Sequence, residues 1–192
     1  MKKTLLKKIS SKKKLLEAWG KLNKANKSSF GIDNVSIEDF SANLDDKIYS
    51  ISKKLRASKY KFSQNRAVLI PKSNGKFRPL QVPTISDRLV LKSIAIELES
   101  QFFKTIDKSA GLSFAYQKEL GVKNAIEKIK EHYDSGNNVV LEADLINFFG
   151  EVNKEKLLST QICLASPSFD LWWLFISALN QEIGGLDKIK QH

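Results

Sequence analysis

The chain has 192 residues, of which 42% are hydrophobic, so it is long enough to fold around a core of its own. One cysteine, Cys163, excludes a disulfide framework within the chain, and two histidines exclude the usual ligand set of a zinc site. No window reaches the roughly 18 to 20 apolar residues of a membrane span. We therefore expect a globular protein of a reducing, cytoplasmic setting, with no membrane partner.

The charge is distributed unevenly along the sequence. Residues 1–80 contain 20 Lys and Arg against 6 Asp and Glu, whereas residues 81–192 contain 12 against 15, so the two parts carry about +14 and −3. Lysine and arginine that neutralise phosphates release condensed counterions, so a basic half favours binding of a polyanion. A solvated basic face is an equal alternative on composition alone.

The first elements in chain order are helices. The pattern predicts a helix from Lys12 to Asn23, a Gly/Asn/Ser-rich turn around residues 28–34, and a second helix from about Ile37 to Ala57. In the second helix, apolar residues recur at helical spacing and predict a core stripe: Phe40, Leu44, Ile48, Ile51 and Leu55.

A β-hairpin follows these helices. The short runs Arg66 to Pro71 and Phe77 to Val82 are typical of strands, and Asn74-Gly75 between them is a strong hairpin signal. Because Pro71 and Pro79 remove ladder donors, we expect edge strands and a hairpin face that stays open. The tip of this hairpin is basic.

The remaining segments alternate in type, and together they predict an α+β fold with helices around a small, mainly antiparallel sheet. Thr84-Ile85-Ser86-Asp87 predicts the start of a long helix with an inward face of Leu91, Ile94, Ala95, Leu98 and Phe102. The further predictions are a helix at Val122 to Tyr133 with Ala125, Ile126 and Ile129 inward, a strand at Asn138 to Asp144, and helices at Lys154 to Cys163 and Phe169 to Leu179.

Four segments, taken in order, resemble blocks of reverse transcriptases of the group II intron, retron and bacterial defence type. The segments are FGIDNVSIEDF at Phe30 to Phe40, LIPKSNGKFRPLQVPTISDRLVLKSI at Leu69 to Ile94, LSFAYQKELGVKNAIEKI at Leu112 to Ile129, and LEADLINFF at Leu141 to Phe149. Two departures are visible: Ala115-Tyr116-Gln117 replaces the usual G-F-R, and Gly150 replaces the acid of the frequent FFD. The resemblance implies right-hand polymerase fingers and the start of a palm, with boundaries at residues 1–65, 66–135 and 136–192.

The last block implies a metal site. By resemblance, Asp144 is the first catalytic aspartate and binds two Mg²⁺ ions, with Mn²⁺ as an alternative, and the carbonyl of Leu145 is an additional ligand. Such ions take oxygen ligands and stabilise the attacking and leaving oxygens in nucleotidyl transfer. Phe149 matches the steric gate that excludes a 2′-hydroxyl, although core packing is the better interpretation of either ring alone. Phe148 is expected in the core, and Glu142 supports Asp144 or has a structural role.

The hairpin block implies triphosphate and nucleic-acid contacts. Lys72 and Arg78 match positions that hold the dNTP triphosphate, and a guanidinium offers a planar fork suited to phosphate oxygens. Lys76 assists them or contacts nucleic acid. For Arg88, a contact with a template phosphate and an ion pair with Asp87 are equal alternatives.

A second carboxylate cluster, an aromatic-x-Asp-Asp hairpin in these polymerases, is not found in the sequence, where the only Asp-Asp pair, Asp45-Asp46, is expected on an exposed helical face. Three accounts remain: a fragment of a longer enzyme, a split enzyme completed by a second polypeptide, or a short paralogue. The implied function is RNA-directed DNA synthesis by two-metal transfer on an RNA template with a DNA or RNA primer. The alternative is a catalytically incomplete RNA-binding module in an antiviral defence complex.

Overall fold

A computed structural model describes most of the chain as two compact units. The described residues are 4–27, 29–71, 73, 75, 77–106, 112–115, 119–145, 148, 151–157 and 172–184. The first unit consists of Met1–Leu98 and Lys154–His192, and the second consists of Glu99–Asn153. The division at residues 65 and 135 that the resemblance implies stays a prediction.

The described elements are helices with one small sheet, so the α+β class is confirmed. In chain order they are α1 (Leu5–Ile9), α2 (Lys12–Gly20), α3 (Ile37–Ala42), α4 (Leu44–Arg56), β1 (Asn65–Pro71), β2 (Phe77–Val82), α5 (Ile85–Ile106), α6 (Val122–Asp134), α7 (Lys154–Leu157), α8 (Trp172–Leu179) and β3 (Ile183–Gly184).

Helices α1 to α4 and the part of α5 up to Leu98 supply most of the core of the first unit. The predicted stripe is confirmed, since Phe40, Ile48, Ile51 and Leu55 are buried and Leu44 packs partly buried against them. The single helix predicted over residues 37–57 is, however, two helices. Asn43 has a non-helical backbone (φ −124°, ψ 39°) and separates them. Helix α3 begins at Ile37, where Ser36 and Asp39 form a capping box that satisfies the N-terminal backbone donors.

Three polar side chains inside this core, Ser52, Ser93 and Glu97, have partners from distant elements. The Ser52 hydroxyl of α4 donates to the Ser10 carbonyl at 2.6 Å, and the Ser93 hydroxyl of α5 donates to the Ile9 carbonyl at 2.9 Å. The buried carboxylate of Glu97 accepts from the Lys8 ammonium at 2.7 Å. Because buried polar groups without partners are costly, these bonds fix α4 and α5 against the end of α1.

The predicted hairpin is present as an antiparallel pair, with Arg66 opposite Val82 and Pro71 opposite Phe77. The sheet order is β2-β1-β3, so β2 is an edge strand as expected. The expectation for β1 is wrong at its N-terminal end, where Asn65 and Arg66 pair in parallel with Ile183 and Gly184. Neither proline lies at that end of β1, so the ladder donors needed for β3 are available.

Helix α5 buries a different face from the predicted one. Ile94 is buried and Leu91 and Leu98 are partly buried, but Ala95 is exposed, and Phe102 lies outside the described side chains. Among the described side chains of the helix, the buried residues are Ile85, Asp87, Leu89, Val90, Ser93, Ile94, Ile96 and Glu97. Apolar periodicity missed this face because three of its members are polar residues whose hydrogen bonds permit burial.

The second unit contains α6, and its end is marked by Gly136 at φ +93°, as the glycine predicted. The predicted inward face is wrong: Ala125 is partly buried, but Ile126 and Ile129 are 60% and 62% exposed. Residues 138–144 do not form the predicted strand and are exposed. A strand needs a hydrogen-bonded neighbour, and none pairs with this segment among the described residues.

The C-terminal segment of the first unit adds α7, α8 and β3. Helix α7 covers Lys154–Leu157, and residues 158–163 of the predicted helix lie outside the described part. Helix α8 covers Trp172–Leu179, with Leu174 fully buried in the core; residues 169–171 also lie outside the description. In the described part of the chain, none of the helices combines the length and the apolar character that crossing a membrane requires.

Candidate functional site

The base of the hairpin is packed against the turn that precedes α3. The Arg66 guanidinium lies 4.2 Å from the centre of the Phe30 ring, and its Nε donates to the Phe30 carbonyl at 3.2 Å. A Cβ built on Gly31 would lie 2.5 Å from the Thr84 Cα, so the two backbones touch. Only glycine permits that approach. The fold thus joins two segments that carry the resemblance, Phe30 to Phe40 and Leu69 to Ile94.

Arg88 is held at this same junction. Its Nε donates to the Pro83 carbonyl at 2.9 Å, and its Nη2 donates to the Ser29 hydroxyl at 3.1 Å. Burial, reinforced by the nearby Arg66 charge, lowers the pKa of the Arg88 guanidinium. Arg88 and Lys92 also line a cleft of about 630 Å³.

Asp87, the expected alternative partner of Arg88, is engaged elsewhere. Its carboxylate is buried and accepts from the Tyr60 hydroxyl at 2.8 Å, from the Ser63 amide at 3.1 Å and from Gln181 Nε2 at 3.3 Å. Burial raises the pKa of Asp87, while hydrogen bonds with Tyr60, Thr84 and Ser63 oppose the rise. Burial and the same carboxylate also raise the pKa of Tyr60. No local sequence pattern indicated these partners, which lie 24 or more residues from Asp87.

The structure describes only part of the segment predicted to bind the dNTP triphosphate. Lys72 and Lys76 lie outside the described residues, and Arg78 is described by its backbone alone, opposite Ile70 in the hairpin. Gly75 has φ +76°, the left-handed conformation that the turn requires. Their roles in binding dNTP or nucleic acid therefore stay predictions.

Asp144 lies on an exposed segment of the second unit. Its Oδ1 accepts from the Leu145 amide at 2.9 Å, and the Leu145 side chain is 69% exposed. Glu142 is exposed as well, without the strand that would place it on the same face as Asp144. Phe149 lies outside the described residues. Phe148, expected in the core, is 52% exposed, so that expectation is wrong.

The described residues around Asp144 supply too few ligands to hold a divalent metal by themselves. A site of this kind needs several oxygen ligands at once. Among the described residues, no three His, Cys, Asp or Glu side chains come together to hold an ion. Asp144 therefore offers one carboxylate, and metal chemistry would require ligands beyond those described.

The chain matches no protein-family model. It is 29% identical over 160 residues to Protein YkfC of Escherichia coli (strain K12), covering 80% of this chain and 41% of that protein. It is 28% identical over 156 residues to the putative COX1/OXI3 intron 2 protein of Saccharomyces cerevisiae, covering 81% of this chain and 17% of that protein.

A second yeast relative, the putative COX1/OXI3 intron 1 protein, is 29% identical over 108 residues, covering 56% of this chain and 12% of that protein. The chain is thus similar, at low identity, to two intron proteins. It spans less than half the length of each of these three relatives.

Proposed function

We propose that this chain is part of a reverse-transcriptase-related protein and that its basic N-terminal half binds RNA through the phosphate backbone. The observation that carries the proposal is the ordered set of blocks, supported by the low-identity similarity to two intron proteins over 108 and 156 residues. The packing of Gly31 against Thr84 supports it further, because it joins two of those blocks in one unit. The charge of about +14 over residues 1–80 suits a polyanion.

RNA binding has a direct thermodynamic test. The purified chain should bind single-stranded RNA with log K falling linearly as log salt rises, and the slope reports the number of phosphate contacts. The measurement is fluorescence anisotropy of a labelled RNA at salt concentrations from 50 to about 300 mM, a range in which such binding changes steeply. Binding that does not change with salt, or no binding to any RNA, would contradict the proposal.

For the complete protein we propose RNA-directed DNA synthesis. Asp144 and the Leu145 carbonyl would then hold Mg²⁺ together with ligands beyond the described residues, while Lys72 and Arg78 would hold the dNTP triphosphate. Bound ions would stabilise charge at the reacting phosphate. Asp144→Asn removes a charge with little change in volume, so primer extension by the complete protein should be abolished while RNA binding is kept. Extension at the wild-type rate by this variant would contradict the metal role.

Phe149 provides a separate test of DNA synthesis. If its ring lies beneath the sugar, Phe149→Val should raise the ratio of rNTP to dNTP incorporation by the complete protein while its melting temperature stays near that of the wild type. If the ring is a core residue, truncation should instead cost stability and lower both incorporation rates together. The incorporation ratio and the melting temperature should be measured on the same preparation.

A further inference from the structure

A lysine-lined cleft lies on the first unit and shares Thr84 with the junction around Arg88. It has a volume of about 340 Å³ and lies between α4, the loop after α4 and the beginning of α5. We call it the lysine cleft. Its cationic members are Lys47, Lys54, Lys59 and Lys61, its hydroxyl-bearing members include Ser50 and Ser86, and its one acidic member is Asp33.

The positions of the lysines follow from the helix and the loop. Lys47 and Lys54 are seven residues apart in α4, two helical turns, so they lie on the same side about 10 Å apart along the axis. Ser50 lies between them on that side. Lys59 and Lys61 come from the loop that leaves the helix, where Ser58 has φ +53°. The lysines therefore come from two neighbouring segments, α4 and the loop after it.

The four lysines of the lysine cleft form no salt bridge with the described residues. All four lysines are exposed, whereas the lysines of the salt bridges found among the described residues lie elsewhere. On α1 and α2, by contrast, Lys8 and Lys14 contact Glu97, and Lys14 and Lys21 contact Glu17. The positive charge of the first unit thus remains available in the lysine cleft, whereas much of it is compensated at α1 and α2.

We propose that the lysine cleft binds the phosphate backbone of a single RNA strand. The inference rests on the proposed RNA-binding function and specifies where that binding occurs. The volume is at the small end of ligand sites and suits a ribose and its phosphates, not a duplex. Lysines spread over about 10 Å of α4 reach more than one phosphate, and basic grooves of this kind follow the backbone of single strands. Hydroxyls such as Ser50 and Ser86 offer additional donors to phosphate oxygens.

The test compares two variants that lose the same charge. The cleft variant replaces Lys47, Lys54, Lys59 and Lys61 by Gln. The control variant replaces four exposed lysines of the first unit that do not line the lysine cleft: Lys7, Lys13, Lys27 and Lys53. Both variants carry the same net charge, so a difference in RNA affinity between them shows where on the first unit the RNA binds. Circular dichroism melting shows whether each variant folds.

The expected result is a loss of affinity confined to the cleft variant. For a single strand, each phosphate contact contributes about 0.7 to the steepness with which log K falls as log salt rises. Loss of four contacts should therefore reduce the magnitude of this slope by about 3. At about 100 mM salt the affinity of the cleft variant for a labelled 20-nucleotide oligouridine should fall at least tenfold. The control variant should change the slope by less than 1.

Other outcomes would contradict the location of the RNA site, RNA binding itself or the preference for a single strand. If both variants lose affinity and slope equally, RNA binding stands and the location in the lysine cleft is wrong. If the wild-type chain binds no RNA, the proposed function and this inference both fail. If an unlabelled RNA duplex displaces the oligouridine as well as an unlabelled single strand does, the single-strand assignment fails.

A second measurement does not depend on substitution. Bound oligouridine should protect Lys47, Lys54, Lys59 and Lys61 of the wild-type chain from acetylation, as read by mass spectrometry, while Lys13 and Lys53 react as before. Inorganic phosphate at the same phosphate concentration should protect them much less, because one strand engages several lysines together. If inorganic phosphate protects these lysines from acetylation as well as oligouridine does, the cleft binds a single phosphate and the proposal is wrong. If oligouridine does not protect them, the proposal is also wrong.

Discussion

The two compact units differ most in what happens to their apolar side chains. Every fully buried hydrophobic residue of the described chain lies in the first unit, whereas the second exposes Val122, Ile126, Ile129 and Tyr133 along α6. Both units contain helices with good sequence signals. Periodicity and capping are therefore sufficient to indicate a helix, but burial also requires a partner element that no local pattern supplies.

The largest expected effect tests that difference directly. Phe40 is fully buried and its ring stacks on Trp19 with centroids 5.2 Å apart. Phe40→Ala should lower the free energy of unfolding by about 3 to 5 kcal/mol, because it removes apolar contacts and leaves a cavity. Ile129→Ala, in exposed α6, should change it by less than about 0.5 kcal/mol. Urea denaturation followed by circular dichroism measures both.

The Ile129→Ala variant also tests whether this face of α6 is exposed in solution. A cost for Ile129→Ala above about 2 kcal/mol would indicate that this side chain is buried, and the contrast between the units would then be wrong.

The sequence predicted the hairpin and core stripe of the first unit and the end of α6 in the second for physical reasons, whereas the strand predicted at residues 138–144 was wrong. The hairpin was predicted because Asn-Gly accepts the backbone of a tight turn, and the end of α6 because Gly136 tolerates positive φ. The core stripe of α3 and α4 was predicted because the helical period places its residues on one face. Their separation at Asn43 was missed, since the stripe continues across it.

Non-local features could not be predicted in the same way. Strand β3 pairs with a distant part of the chain, and the three donors to Asp87 are also distant in sequence. No local sequence pattern predicts which of these residues come together. The lysine cleft had a weak signal, namely Lys47 and Lys54 two turns apart on α4, but its other lysines come from a loop. The resemblance indicated Asp144, but it could not supply the further carboxylates that a metal needs.

An intermediate effect on stability is expected from substitution of Gly31, which is closely packed in the first unit, but not from substitution of Gly121 in the second. A Cβ on Gly31 would lie 2.5 Å from the Thr84 Cα and 2.7 Å from its nitrogen, so backbone must move. Gly31→Ala should therefore cost about 1 to 3 kcal/mol, the usual range for overpacking. Gly121, in the second unit, has no atom within 4 Å of the same built position and has extended φ, −167°. Gly121→Ala should be close to neutral, and thermal melting of the two variants would show the gap.

A neutral Gly31→Ala variant would mean that the turn before α3 is not packed on the start of α5. The junction that holds Arg66 and Arg88 would then lose its main structural support.

The smallest effect concerns two aspartates in opposite environments. Asp87 is buried and accepts three hydrogen bonds in the first unit, whereas exposed Asp144 of the second unit accepts one from its neighbour's amide. Asp87→Asn should cost about 1 kcal/mol near neutral pH, because lost charge-assisted bonds are partly offset by relief of carboxylate burial. Asp144→Asn should change the free energy of unfolding by less than about 0.5 kcal/mol. Urea denaturation at pH 7 measures both costs.

The pH dependence sharpens this last prediction. Burial raises the pKa of Asp87 in the folded protein above its ordinary value of 3.8, so between those two values the folded state binds more protons than the unfolded state. The contribution of Asp87 to stability is therefore fully present below pH 3.8 and is lost as the pH rises through the raised pKa. The cost of Asp87→Asn should accordingly be larger at about pH 4 than at pH 7, since asparagine does not titrate. Asp144→Asn, measured against wild type at the same pH values, controls for the titration of all other groups. A cost of Asp87→Asn that grows with pH would mean that its hydrogen bonds outweigh its burial and lower the pKa of Asp87.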